Sequence, residues 1–128
     1  MAKRDGNEFT RDTKQHLARS VNYLCSKCGC PTSGPKRGAS TSMTIGKAAH
    51  ISAAAPGGPR FDPSLTPEQR RHYDNGIWMC SNHASLIDED WRSYSSEQLR
   101  GMKQQAEERA ADALRRSGSL ARIIHQHV

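Results

Sequence analysis

The sequence predicts a small α+β domain stapled by a metal, with flanking helices, and three observations predict it. Two close ligand pairs, Cys25-x-x-Cys28 and Cys80-x-x-His83, stand far apart in the chain. Short strand-like runs at residues 43–51 and 77–79 alternate with segments that carry helix-capping signals. Only 34% of the 128 residues are hydrophobic and 5% aromatic, which is thin for a core that must stand alone. The length fits one domain with an extension at one end.

Residues 1–9 are polar and are expected to be loose. Asp12 with Gln15 predicts a helix running toward Ser20, with Leu17, Val21 and Leu24 on one face, leading into Cys25. Residues 29–42 are rich in Gly, Pro, Ser and Thr and are expected to form a loop. Residues 43–51 suit a strand, with Ile45 and Ile51 as its β-branched members. The Pro56-Gly57-Gly58-Pro59 centre of residues 52–63 excludes both helix and central strand. Thr66-Pro67-Glu68-Gln69 is a capped helix start, and that helix should end near Tyr73, before a turn at Asp74-Asn75-Gly76.

Ile77 to Met79 then suits a brief strand, with Trp78 in the core, and a helix should begin at the Cys80 pair. Ser95 with Gln98 is another capping box. Leu99, Met102, Ala106, Ala110, Ala113 and Leu114 recur after it at helical spacing, opposite a charged face. Gly118 is expected to stop this helix. The predicted organisation is a unit at 1–94, an amphipathic helix packed on it at 95–117, and a tail or linker at 118–128.

A structural zinc site takes four tetrahedral thiolate or imidazole ligands, commonly as two close pairs. Cys25, Cys28, Cys80 and His83 supply them, with Cys30 as an alternative to Cys28. Buried thiols beside a surface histidine are the metal-free alternative. No stretch looks like a signal peptide or spans a bilayer, so a cytoplasmic, membrane-free setting is expected, where CxxC spacing favours Zn2+ over disulfides. The formal charge of +6 suits a polyanionic partner.

Ala48-Ala49-His50-Ile51, Gly57-Gly58, Asn75-Gly76-Ile77-Trp78-Met79-Cys80 and Cys80-x-x-His83 together resemble the HNH nucleases, the ββα-metal family. With Thr32-Ser33-Gly34-Pro35, Pro56-Gly57-Gly58-Pro59-Arg60-Phe61-Asp62 and Leu86-Ile87-Asp88, the chain is similar to the N-terminal HNH domain of bacterial anti-phage effectors. Those effectors fuse the nuclease to a cyclic-oligonucleotide sensor. The resemblance covers roughly residues 9–107. It implies hydrolysis of double-stranded DNA with one catalytic divalent ion, a sensor domain after residue 128, and activity in a homo-oligomer.

By the same resemblance His50 is the general base, a role that a neutral imidazole suits. Asn75 would bond across the loop and hold His50 in orientation. The chain departs from the family at Ala49 and at Ala84, where the final catalytic histidine usually stands. Asp88 lies one helical turn beyond Ala84, and its carboxylate is the expected ligand for Mg2+ or Mn2+, with Asp62, Asp74 and Asp90 in reserve. Arg60, Arg70, Arg71, Lys36 and Arg37 are candidate phosphate contacts. A zinc-stapled nucleic-acid-binding module without catalysis, and a stand-alone restriction or homing-type enzyme, are the competing readings.

Overall fold

The computed structural model describes residues 8–126, with side chains as far as residue 116. Its first helix, α1 (Arg11–Ser20), is capped by Thr10 rather than Asp12: the Thr10 hydroxyl accepts the Thr13 amide at 3.1 Å. Asp12 falls in the first turn, where its charge suits the helix dipole. Leu17, Ala18 and Val21 are buried, while Leu24 is half-buried beyond the helix end. The loose start expected for residues 1–9 lies outside the described residues except at its end, where Phe9 is buried.

Residues 29–42 are not all loop. β1 (Ser33–Pro35) pairs antiparallel with β2 (Ser42–Thr44). The single strand expected over residues 43–51 is broken at Ile45, and its second part is β3 (Gly46–His50). Ile45 is exposed and serves as a latch: its amide donates to the Thr32 carbonyl, and its carbonyl accepts the Ser81 amide and hydroxyl.

β4 (Gly76–Cys80) pairs antiparallel with β3, placing Gly46 opposite Cys80 and His50 opposite Gly76. Between β3 and β4 lies α2 (Pro67–Arg70), shorter than expected, with both bonds of the Thr66–Gln69 capping box formed. α3 (Ser81–Glu89) follows β4 without a loop. A 3-10 turn at Tyr73–Asn75 replaces the turn expected at 74–76, and Gly76 belongs to the strand. A Cβ on Gly76 would lie 2.5 Å from Leu17 Cδ1 and 3.0 Å from Phe9 Cζ, so a larger residue there would have to displace two buried side chains.

The β3–β4 hairpin is covered on both faces, so burial along β4 does not alternate as it does in a half-exposed strand. On one face Ile77 and Met79 pack with Ile51, Ile87 and Leu99. On the other, Trp78 packs with Leu17, Ala18, Val21 and Ala106, and its indole N–H donates to Thr32 Oγ1 at 2.9 Å. α4 (Ser96–Gln126) begins at the Ser95–Gln98 capping box and supplies Leu99 and Ala106 to the two cores.

Gly118 does not stop this helix, which runs on to Gln126. A helical glycine costs only about 1 kcal/mol, and a stop also needs a left-handed turn that the chain does not make there. The segment expected as a tail is therefore helical up to residue 126, and residues 127 and 128 lie outside the described residues. No helix among the described residues is long and apolar enough to cross a membrane.

Candidate metal centre and groove

The two ends of the β3–β4 hairpin carry different chemistry. At the Cys80 end, one ligand atom from each of Cys25, Cys28, Cys80 and His83 lies within 4.8 Å of the others. Two local devices aim them. Cys25 leads a tight turn closed by the Gly29 amide on the Cys25 carbonyl, and its sulfur accepts the amides of Lys27 and Cys28 at 3.4 and 3.5 Å. Cys80 is the N-cap of α3, so its sulfur accepts the His83 amide and the His83 ring turns toward it.

His83 Nδ1 is 3.4 Å from Cys80 Sγ and 3.7 Å from Cys25 Sγ. A tetrahedral zinc with ordinary bond lengths would set S···N edges at about 3.6 Å. The Cys3His donor set therefore fits structural zinc in both chemistry and size. Cys30, the alternative ligand, is not among the four. It is exposed, and only its carbonyl reaches Cys25, where it accepts the amide at 2.9 Å.

Electrostatics at the cluster point the same way. Burial is the largest influence on the Cys25 thiol and pushes its pKa up, but the Cys28, Cys80 and Lys27 amides and the His83 ring outweigh it and bring it down to about 6. Cys28 is raised: the Cys30 amide favours its thiolate, but partial burial and the neighbouring Cys30 and Cys25 sulfurs outweigh that. Cys80 is raised by burial and by the sulfurs of Cys25 and Cys28, against the His83 amide. The protein alone thus favours one thiolate and resists the next two. A divalent cation removes that repulsion, and its binding is then coupled to folding.

At the other end of the hairpin, His50 and Asp88 line one groove of about 470 Å³ between β3 and α3. Ser81, Ala84, Ser85, Asp88 and Glu89 share the α3 face that lines it, which is the helical repeat that places Asp88 one turn after Ala84. The His50 ring stacks on Phe9, with centroids 4.0 Å apart and planes 14° from parallel. That stacking was invisible in the sequence, because Phe9 stands alone in a polar stretch. Glu89 and Lys47 also line the groove and were not singled out from the residue pattern. The reserve candidates Asp62, Asp74 and Asp90 do not line it. Asp62 instead accepts the hydroxyl and amide of Ser64, which hold its carboxyl below the usual range.

Asn75 does bond across the loop, but to backbone. Its Oδ1 accepts the Ser52 amide, and its Nδ2 donates to the Ser52 and Arg70 carbonyls, all at 2.9–3.0 Å. Its own carbonyl accepts the Ile51 amide at 2.8 Å. Asn75 thus fixes the two residues after His50 against the start of β4, and acts on the imidazole through the chain.

Two of the expected phosphate contacts are engaged within the protein instead. The Arg60 side chain is 5% exposed and bonds the Asp88 carboxylate at 2.9 Å, the Ile51 carbonyl at 2.6 Å and the Ile87 carbonyl at 2.8 Å. Longer bonds reach the carbonyls of His50 and Tyr94. This guanidinium joins the end of β3 to the end of α3, and a residue with five backbone and carboxylate acceptors has no donor to spare for DNA. Arg70 donates to the Asp62 carbonyl and lies over the Phe61 ring, so it packs the loop. Arg71 sits 3.9 Å from Glu68, whereas Lys36 and Arg37 are exposed at the β1–β2 turn.

The Cys3His cluster is the only grouping of three or more His, Cys, Asp or Glu donors among the described residues that could close on a metal. His50, Asp88 and Glu89 line a common groove without converging to that degree. No protein-family model matches the chain, and no curated protein matches it.

Proposed function

We propose that the chain is a metal-dependent HNH-type endonuclease that hydrolyses phosphodiester bonds of double-stranded DNA, with structural zinc at the Cys3His cluster. The observation that carries the reading is the shared groove of His50 and Asp88, reached by the order strand, long loop, strand, helix that the resemblance implies. We further propose that it serves as the effector unit of a bacterial anti-phage defence protein, controlled by a cyclic-oligonucleotide sensor and active in a homo-oligomer.

Asp88 and Glu89 offer oxygen to a hard ion, and Mg2+ or Mn2+ typically takes one or two carboxylates and completes its sphere with water and phosphate. Such an ion, when bound, supplies charge stabilisation at the phosphate and the leaving oxygen. The chain's own residues do the rest. Phe9 holds the His50 ring by stacking, and Asn75 pins the backbone that follows it. Nε2 or Nδ1 of a neutral His50 then accepts the proton of the attacking water. Arg60 ties the Asp88 carboxylate and the His50 carbonyl to one guanidinium, which sets the width of the groove.

A binding module without catalysis is the second reading, and one observation favours it: Asp88 Oδ1 already accepts from Arg60, which weakens the carboxylate as an ion ligand. The two readings separate on supercoiled plasmid with Mg2+ or Mn2+, comparing wild type with His50→Ala. The nuclease reading expects nicking by wild type and a loss of about 10²-fold or more in the variant. Nicking that persists in the variant removes His50 as the base. Tight DNA binding with no nicking by either protein selects the module.

A further inference from the structure

On the far side of β3 from the His50 groove lies a second groove of about 460 Å³, between α1 and the strand. Arg11, Lys14, Gln15 and Ala18 reach it from α1, at the i, i+3, i+4, i+7 spacing of a single helical face. Lys47 reaches it from β3. Its lining holds these three cations and no acidic side chain.

Most other cations placed near the core are engaged: Arg60 by Asp88, Lys103 by Glu107, Arg71 by Glu68 and Arg70 by a carbonyl and a ring. The side chains of Arg11, Lys14 and Lys47 have no hydrogen bond or ion pair among the described residues. Three exposed cations without acidic partners around one groove make a local positive field that favours an anion.

Lys47 and Ala48 line both grooves. The two therefore adjoin across β3, whose only strand partner among the described residues is β4. The floor at the crossing is small: Gly46 and Ala48 carry little side chain, and a Cβ on Gly46 would strike the Trp78 ring at 2.2 Å. A chain of regularly spaced anions can pass from the cationic groove, over Lys47, to the His50 end. A polynucleotide backbone can engage all three cations and still continue toward the His50 groove.

We infer that the α1–β3 groove is a backbone track, in which Arg11, Lys14 and Lys47 hold phosphates of one strand of a DNA duplex that continues over β3 into the His50 groove. The inference rests on the reading of the His50 groove as the reacting end, and it replaces Arg60 and Arg70 as phosphate contacts.

The test uses the full zinc-loaded chain and a fluorescein-labelled random-sequence duplex, followed by anisotropy over a KCl series. In Arg11→Ala/Lys14→Ala, affinity at low salt should fall at least tenfold. The slope of log K against log salt should become shallower by about 2, near 0.9 for each phosphate that the variant no longer neutralises. Arg109→Ala/Arg116→Ala removes the same charge from α4 and should change the slope by less than a quarter of that. An unchanged slope in the groove pair, or an equal change in both pairs, overturns the track.

Nicking by the same proteins separates this inference from the nuclease reading. If wild type does not nick plasmid while the groove pair still loses binding selectively, the nuclease reading fails and the track stands. If wild type nicks and the groove pair binds and nicks as well as wild type, the track alone fails.

Discussion

The two ends of the β3–β4 hairpin both gather potential ligand groups, but they arrange them in opposite ways. At the Cys80 end four ligand atoms converge within 4.8 Å, two of them bonded to amides of their own turns. At the His50 end the groups face an open groove, and the carboxylate is shared with an arginine. The ends are roughly 13 Å apart along the strand. A converged set of soft ligands suits a structural ion. A spread set of oxygen and imidazole groups leaves open space between them.

The sharpest way to break this contrast is to remove the staple. Cys25→Ser should abolish stoichiometric zinc and the cooperative thermal transition, since zinc coupling in small domains is on the order of 10 kcal/mol. Metal analysis with circular dichroism melting checks it, and a variant that melts like wild type would show that the cluster is not a staple. Cys30→Ser should leave both unchanged.

At the groove end the losses should be smaller and confined to bonding. Arg60→Ala leaves the Ile51 and Ile87 carbonyls without their close donor and should destabilise by about 3 kcal/mol in urea. Asn75→Ala strips partners from the Ser52 amide and carbonyl and should cost about 2 kcal/mol. Either variant should keep its zinc. Loss of zinc from both would mean that the hairpin ends are not independent.

The smallest effect lies in the 3-10 turn that leads into β4. Burial, with the bond to Glu107, pushes Tyr73 up to about 12. Because the folded state favours the protonated phenol, this contribution is complete below pH 10 and is lost as pH rises toward 12. Tyr73→Phe should flatten the alkaline fall in stability and cost about 1 kcal/mol at pH 7 through the lost bond to Glu107, as pH-dependent unfolding would show.

The same contrast separates what the sequence made legible from what it did not. The Cys3His cluster was readable because each pair is local: a two-residue gap and a turn suffice to aim both atoms. The capping boxes at Thr66 and Ser95 were readable for the same reason. The groove was only half readable. Asp88 followed from helical spacing, but Phe9 meets His50 across 41 positions and Arg60 meets Asp88 across 28, and no local pattern encodes either meeting. Arg60 in particular reads as a phosphate contact beside loop glycines, yet its backbone takes a left-handed φ of 58° and its side chain is buried against Asp88. Gly118 failed as a stop signal because it was read alone, without the left-handed turn that makes glycine terminate a helix.

The most direct measurement is where a hard ion goes. Mn2+ should be titrated into the zinc-loaded, isotopically labelled chain bound to a slowly hydrolysed phosphorothioate duplex, with amide signals followed by NMR. A reacting groove separate from the staple predicts early loss of signals from residues 47–52 and 85–89, while those of Cys25 to Cys28 persist. Broadening that begins at the cysteine end, or that spreads evenly over the chain, would contradict it.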